Sequence, residues 1–314
     1  MTRLTRQLHA LAATARLANL PSVAGNVWLG MALGTLADGV AWGRAALLAT
    51  SGIGLYLAGS FFNDWADRGW DAAHRPERAL PQGLFSARLY LAVAVACGLL
   101  GLGAAAAADY RSLPVALLIV MAIVTYTRWH KRSPWAVIPM GLCRALLPGL
   151  GFIGILSPAA WRIGGGAPHP GVPAALIASA CGLFLHIVGL SLSARRESLE
   201  GPPGRALGFA RVLFPAAAAC LFFASSQCLA LPLWPCLLGL LPYALWIALC
   251  LTVFRQPVSV HVSNLLAGVP LVDWIVLLPL ALATGTPGWA AVCLVLPPLA
   301  FLLGTVLQRL APAT

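Results

Sequence analysis

Long apolar runs separated by short polar links make up most of the chain. Ten such runs lie at 17–36, 44–62, 87–107, 113–130, 135–156, 173–194, 208–225, 231–253, 263–282 and 288–308. Each is near the roughly 20 residues with which a helix crosses a hydrocarbon core about 30 Å thick. None alternates apolar and polar residues as a β-barrel strand does. A bilayer offers backbone N–H and C=O groups no partner, so each span must satisfy them within its own helix. The pattern predicts an all-α, polytopic transmembrane helical bundle of about 9–10 helices, a single unit over residues 1–314. It is weakest at 208–225 and in the last pair, which keeps nine spans open. Ahead of the first run, Leu4, Leu8 and Leu11 follow helical spacing with Arg3 and Arg6 off that stripe. This fits a short helix lying in the membrane interface. No continuous apolar core precedes Arg16, so a cleavable signal peptide is not expected.

Composition agrees: 60% of residues are hydrophobic and 9% charged, with mean hydropathy +0.86. The net charge of +11 would suggest nucleic acid if it were clustered, but it follows the membrane instead. With a cytoplasmic N-terminus, sixteen of the twenty Lys and Arg fall at or near the inner side: Arg3, Arg6, Arg16, Arg68, Arg75, Arg78, Arg88, Arg128, Lys131, Arg132, Arg195, Arg196, Arg205, Arg211, Arg255 and Arg309. Arg44, Arg111 and Arg162 fall outside, and Arg144 lies within a span. This positive-inside bias predicts an integral protein of the cell's inner membrane with the 63–86 loop in the cytoplasm. No basic run is interleaved with aromatics, which argues against a nucleic-acid partner. The eight cysteines lie in or beside apolar runs without metal-ligand spacing and read as small buried hydrophobes.

The polar links gather on one face of the membrane, and one of them holds most of the chemistry. The stretch "GSFFNDWADRGWDAAHRPERALPQG", 59–83, contains four of the nine acidic residues: Asp64, Asp67, Asp71 and Glu77. If the second span stays helical past Phe62, Asp64, Asp67 and Asp71 stand at i, i+3 and i+7 on one face, with Asn63 beside them. At a bilayer midplane each carboxylate would cost about 2.5–3.5 kcal/mol, so a wet mouth and a shared cation are expected. Oxygen ligands without Cys or His select Mg²⁺ before Ca²⁺, and Mg²⁺ commonly bridges to a substrate phosphate. Arg68, Arg75, Arg78 and Arg88, with Arg128, Lys131 and Arg132 of "YTRWHKR", provide the cations that a diphosphate needs. The plainer alternative is that they obey the positive-inside bias and pair with the aspartates.

"NDWADRGWD" matches the NDxxDxxxD signature of the UbiA superfamily of membrane prenyltransferases. "RALPQG", 78–83, resembles the RPLPSG that follows it there, with Ala79 and Gln82 departing. "RLANLPSVAGNVWLG" in the first span, "YTRWHKR" after the fourth and "MGLCRALLPGLG" in the fifth are also similar. The resemblance implies that Asn63, Asp64, Asp67 and Asp71 hold Mg²⁺ on an isoprenyl diphosphate. It further implies that Arg78 and Lys131 contact the diphosphate and that Asn26 is a cavity asparagine near the substrate. Tyr126 would face the cavity and stabilise an allylic cation, or else belong to an interfacial aromatic belt.

The sequence departs from the family after the sixth span, where a second aspartate-rich element would hold another Mg²⁺. Here "SLSARRESLEG" offers only Glu197 and Glu200, beside Arg195 and Arg196. Either the arginines replace the metal and clamp the diphosphate, or they pair with the glutamates. The "ARRE" element resembles a divergent branch of the superfamily found in ebo-type gene clusters. Within the spans, Arg144 and Asp273 should face the interior. They pair with each other, or Arg144 meets substrate while Asp273 orients the acceptor. His186 reads as a hydrogen-bonded core histidine. The resemblance thus implies Mg²⁺-dependent transfer of an isoprenyl group, within the membrane, to a lipophilic, most commonly aromatic acceptor. Two rivals are weighed. A CDP-alcohol phosphotransferase would need a DGxxAR element that is absent. A non-catalytic isoprenoid-binding scaffold or transporter would not need all of Asn63, Asp64, Asp67 and Asp71.

Overall fold

The computed structural model describes residues 2–35, 40–156, 171–195, 205–284 and 287–310. Among them every regular element is a helix. In chain order these are α1 (Arg3–Thr14), α2 (Leu20–Gly34), α3 (Trp42–His74), α4 (Ala87–Ala108), α5 (Leu113–Trp129) and α6 (Val137–Ile155). There follow α7 (Gly171–Ala194), α8 (Arg205–Phe223), α9 (Leu233–Thr252), α10 (Val258–Ala267), α11 (Val269–Thr284) and α12 (Pro287–Leu310). Nine helical segments among the described residues are long and apolar enough to cross a membrane. The chain is an integral membrane protein. Its lipid-facing surface carries side chains such as Leu99, Leu118, Met121, Leu237 and Leu302, all largely exposed.

The ten expected runs all become helices, but the first is not a full-length span. Within 17–36 a tight turn at Leu17–Asn19 precedes α2, whose 15 residues reach only about 22 Å. The element falls short because it is an interior helix: every residue from Gly25 to Leu33 is buried. Small residues permit this. Gly30 lies against the Pro148 carbonyl, and Gly151 of α6 lies against the Val27 carbonyl. The two backbones therefore meet without side chains between them, the usual device where no hydrophobic drive separates helix from lipid. Gly54 and Gly101 bring α3 and α4 together in the same way.

Opposite in character is α3, whose 33 residues extend about 50 Å, well beyond a hydrocarbon core. Its last turns, from Asn63 to His74, carry the polar stretch out of the apolar run without breaking the helix. Along them Asn63, Asp64, Asp67 and Asp71 are buried while Ala66, Arg68, Gly69 and Trp70 are exposed. The carboxylate stripe anticipated from the spacing is thus real and turned inward. Ahead of the bundle, α1 lies outside with Leu4 and Leu8 exposed, and Gln7 donates to the Leu84 carbonyl.

A Cβ at Gly30 or Gly151 would collide with carbonyl oxygen across the α2–α6 contact. Gly30→Ala and Gly151→Ala should each lower stability by about 1–3 kcal/mol, the scale of overpacking. Thermal unfolding in detergent checks this, with Gly69→Ala as control. Gly69 has nothing within 4 Å of a Cβ, so its replacement should leave the midpoint unchanged or raise it.

Candidate functional site

The inward stripe of α3 does not meet its partners locally. Asp64 accepts from Arg78 Nη1 at 2.9 Å and from the Thr14 hydroxyl at 3.2 Å, with Arg16 Nη2 at 4.0 Å. Asp67 is held by His130 Nε2 at 2.9 Å, Lys131 Nζ at 3.5 Å and Asn63 Nδ2 at 3.4 Å. Asp71, almost wholly buried, has Arg78 Nη1 at 3.5 Å. The cations come from the α1–α2 link, the loop after α3 and the end of α5. Buried carboxylates this close to one another require such neutralisation.

Second contacts fix the cations in turn. Tyr126 stacks on His130 with ring centroids 4.9 Å apart. Lys131 Nζ lies 3.7 Å above the Trp70 ring, a cation–π contact. Arg195 Nη2 donates to the carbonyls of His130 and Ser133, both at 2.6 Å, and so ties the α5–α6 loop to the end of α7. Arg16 adopts a left-handed backbone, φ 46°, which a non-glycine residue accepts only at some cost.

These cations border a cavity of about 510 Å³ at the charged end of the bundle. Arg16, Arg75, Arg78, His130, Lys131 and Arg195 line it on the polar side, and Ile187, Leu190, Val262 and Leu266 on the apolar side. The volume suits a small-molecule ligand. It continues into a smaller, mostly apolar hollow of about 80 Å³ between α3, α5 and α6. Leu55, Gly59, Ile119, Ile123 and Leu147 are among its walls, and Arg16, Tyr56, Tyr126, Met140 and Arg144 belong to both spaces. Asp64, Asp67 and Asp71 stand one layer behind the cations rather than on the cavity surface.

Farther in, three helices share a polar chain. Arg144 of α6 donates from Nη1 to Ser22 Oγ and Asn26 Oδ1, each at 3.0 Å. Asn26 of α2 donates through Nδ2 to both carboxylate oxygens of Asp273 in α11, at 2.9 and 2.8 Å. The guanidinium of Arg144 lies 5.2 Å from the Tyr56 ring centre.

The structure brings together Asn63, Asp64, Asp67, Asp71, Arg78 and Lys131, as the sequence suggested, and places Tyr126 on the cavity. Asn26, expected near the substrate, has no exposed surface, and both ends of its amide are spent on Arg144 and Asp273. Arg144 and Asp273 do not pair directly but through that amide. Arg68 turns away from the carboxylates and donates to the Trp65 carbonyl. His186 is a buried core histidine facing the Tyr243 hydroxyl at 3.0 Å, as expected. Arg196, Glu197 and Glu200 lie outside the described residues. Sequence reading missed Thr14, Arg16, Tyr56 and His130. His130 lay inside the "YTRWHKR" element, one residue from the lysine that was singled out.

The family model described as UbiA prenyltransferase family matches residues 23–254. Among solved structures the chain is similar to one of digeranylgeranylglyceryl phosphate synthase, with TM-score 0.55, 15% identity and coverage of 98% of this chain and 99% of that one. The apo structure of a UbiA homologue from Aeropyrum pernix K1 gives TM-score 0.54 and 17% identity over 92% of this chain and 98% of that one. A UbiA homologue from Archaeoglobus fulgidus bound to Cd²⁺ gives 0.51 and 16% over 96% and 99%. At such identities the likeness is one of fold. No curated protein matches the chain by sequence.

Removing Arg78 should strand Asp71, which would keep the like charges of Asp64 and Asp67 and only the more distant Lys131 to offset them. Arg78→Met is expected to cost about 1–3 kcal/mol, less than a fully buried pair because Arg78 keeps some solvent contact. Asp71→Asn in that background should restore part of the loss, read as a double-mutant cycle on detergent unfolding.

Proposed function

This chain belongs to the UbiA prenyltransferase family, and we propose that it transfers an isoprenyl group from an isoprenyl diphosphate to an acceptor, with Mg²⁺ as cofactor. The observation that carries this reading is the layering of the site. Three stacked carboxylates sit behind a ring of cations, and the ring opens on a cavity that runs inward as an apolar hollow. A phosphorylated head with a greasy tail matches both halves. The charged end is taken to face the cytoplasm of the inner membrane, from the distribution of Lys and Arg.

The donor atoms suit the metal. All are hard oxygens, and Asn63 Oδ1 is buried without a hydrogen-bond partner, an acceptor left for a cation. Among the described residues no group of three or more His, Cys, Asp or Glu stands as a metal site in this arrangement. Hard oxygen donors suit Mg²⁺, which commonly keeps phosphate and water among its ligands. Asn63, Asp64, Asp67 and Asp71 would hold it. When bound there, Mg²⁺ supplies positive charge against the charge that develops on the leaving diphosphate.

The chain's own residues account for the rest. Arg78, Lys131, Arg16 and His130, now turned on the carboxylates, need shift only to neighbouring phosphate oxygens when the donor enters. Arg195 and Arg196 would join them. These donors stabilise the diphosphate as the allylic C–O bond breaks and the electron pair leaves with oxygen. Leu55, Ile119 and Ile123 exclude water from the carbon left electron-poor, and the Tyr126 ring, steadied on His130, faces it. The acceptor then forms the new bond at that carbon and releases a proton.

Asp64→Ala and Asp67→Ala should each reduce Mg²⁺-dependent pyrophosphate release from geranylgeranyl diphosphate by about 10²-fold or more while the protein stays folded. Unchanged release in either variant would refute the assignment. Chelation by EDTA should stop release, and added Mg²⁺ should restore it; lipid binding that ignores metal and yields no pyrophosphate would mark a scaffold instead. Tyr126→Phe should retain activity, whereas Tyr126→Leu should lose roughly 3- to 30-fold, the range of one cation–π contact.

A further inference from the structure

Arg144 has capacity that the protein itself does not use. The side chain is more than nine-tenths buried, yet it borders both the large cavity and the apolar hollow. Its hydrogen bonds to the described residues all leave from Nη1, to Ser22 and Asn26. The Nε and Nη2 edge, a fork suited to two oxygens of one group, has no acceptor among the described residues. Asp273, the carboxylate nearest along this chain of hydrogen bonds among the described residues, is spent on the Asn26 amide through both oxygens. Its Oδ2 lies near Gly25, where an added Cβ would stand 3.0 Å away. The guanidinium is thus held rigidly and faced by Tyr56, with a positive edge open to a low-dielectric space. A buried cation in that state favours an anion strongly.

Position separates this group from the diphosphate site. Arg144 lies beside Tyr56 of α3. Tyr56 precedes Asp64 by eight residues and Asp67 by eleven, about 12 and 16 Å along the helix. A single diphosphate does not span that distance. Part of the wall here also comes from outside the family match: Val262 and Leu266 both follow residue 254, as does Asp273 behind Asn26. We propose that Arg144, positioned by Ser22 and by the Asn26–Asp273 pair, binds an acidic oxygen group, carboxylate or phosphate, on the acceptor. This rests on the prenyl-transfer reading and gives the acceptor a chemical class. An acid anchored there leaves the body of the acceptor lying between Arg144 and the donor's reactive carbon. It also neutralises a positive charge that would otherwise oppose an electron-poor carbon nearby.

The test uses the full chain in nanodiscs and two matched pairs of probes. One pair is a hydroxybenzoate and its methyl ester; the other is geranylgeranylglyceryl phosphate and uncharged geranylgeranylglycerol. In equilibrium binding, the acid of one pair should be held roughly 10- to 100-fold more tightly than its neutral partner, the scale of charge-assisted hydrogen bonds. Which pair discriminates tells carboxylate from phosphate. Arg144→Gln should erase the difference and leave geranylgeranyl diphosphate binding unchanged. Arg144→Lys, which keeps the charge and loses the fork, should retain part of it and guards against a folding defect. Asp273→Asn should weaken the acid less than Arg144→Gln, again without touching the donor; a purely structural role would weaken both ligands. Equal affinity within both pairs, retention of neither acid, or loss of donor rather than acid in Arg144→Gln overturns the proposal. A chain that holds the acid through Arg144 but releases no pyrophosphate would instead overturn the transfer reading and leave this subsite standing.

Discussion

Charge inside an apolar bundle must be matched where it stands, and that requirement organises the protein. Three carboxylates on α3 would repel one another and the surrounding hydrocarbon if left alone. Thr14, Arg16, Arg78, His130 and Lys131 converge on them from segments far apart in the chain. The contacts hold the end of α3 to the α1–α2 link, the loop after it and the end of α5. Of these, Arg16, Arg78, His130 and Lys131 form the polar wall of the cavity. The interaction that settles the resting site is therefore the one a phosphorylated ligand would have to exchange, so binding becomes a swap between anions rather than the capture of an anion by bare cations.

The interior repeats the principle with a different balance. Arg144, Asn26 and Asp273 join α6, α2 and α11 by one continuous hydrogen-bonded chain. Breaking it at either end leaves a charge without its partner, a costly defect in this setting. The short α2 can sit at the centre of this arrangement because Gly30 and Gly151 let its backbone press against α6. Close packing and polar matching thus depend on each other: the amide of Asn26 reaches both neighbours only because the helices are so near.

How much of this was legible from sequence divides along the distance between partners. The spans could be read because apolar length is a local property, and so could the carboxylate face, since i, i+3 and i+7 fix it within one helix. The family signature lay in the same short stretch. What escaped was long-range. Thr14 lies 50 residues from Asp64, and His130 lies 63 from Asp67. Asn26 and Asp273, 247 residues apart, gave no sign of meeting. Asn26 was placed near the substrate by the family resemblance alone, and that resemblance does not register that Arg144 and Asp273 take both ends of its amide. The first span was overestimated because hydropathy does not register the turn at Leu17–Asn19 that shortens it.

The two residues that reach Asp64 from the amino-terminal side, Thr14 and Arg16, flank the sharp bend that ends α1. That helix rests outside the bundle with leucines uncovered, anchored to the loop after α3 by Gln7. Lifting it would withdraw both contacts in a single movement. The innermost carboxylate layer is in this way mechanically coupled to whatever wets the outer surface, and a change of detergent or leaflet composition would be felt there before any ligand arrives.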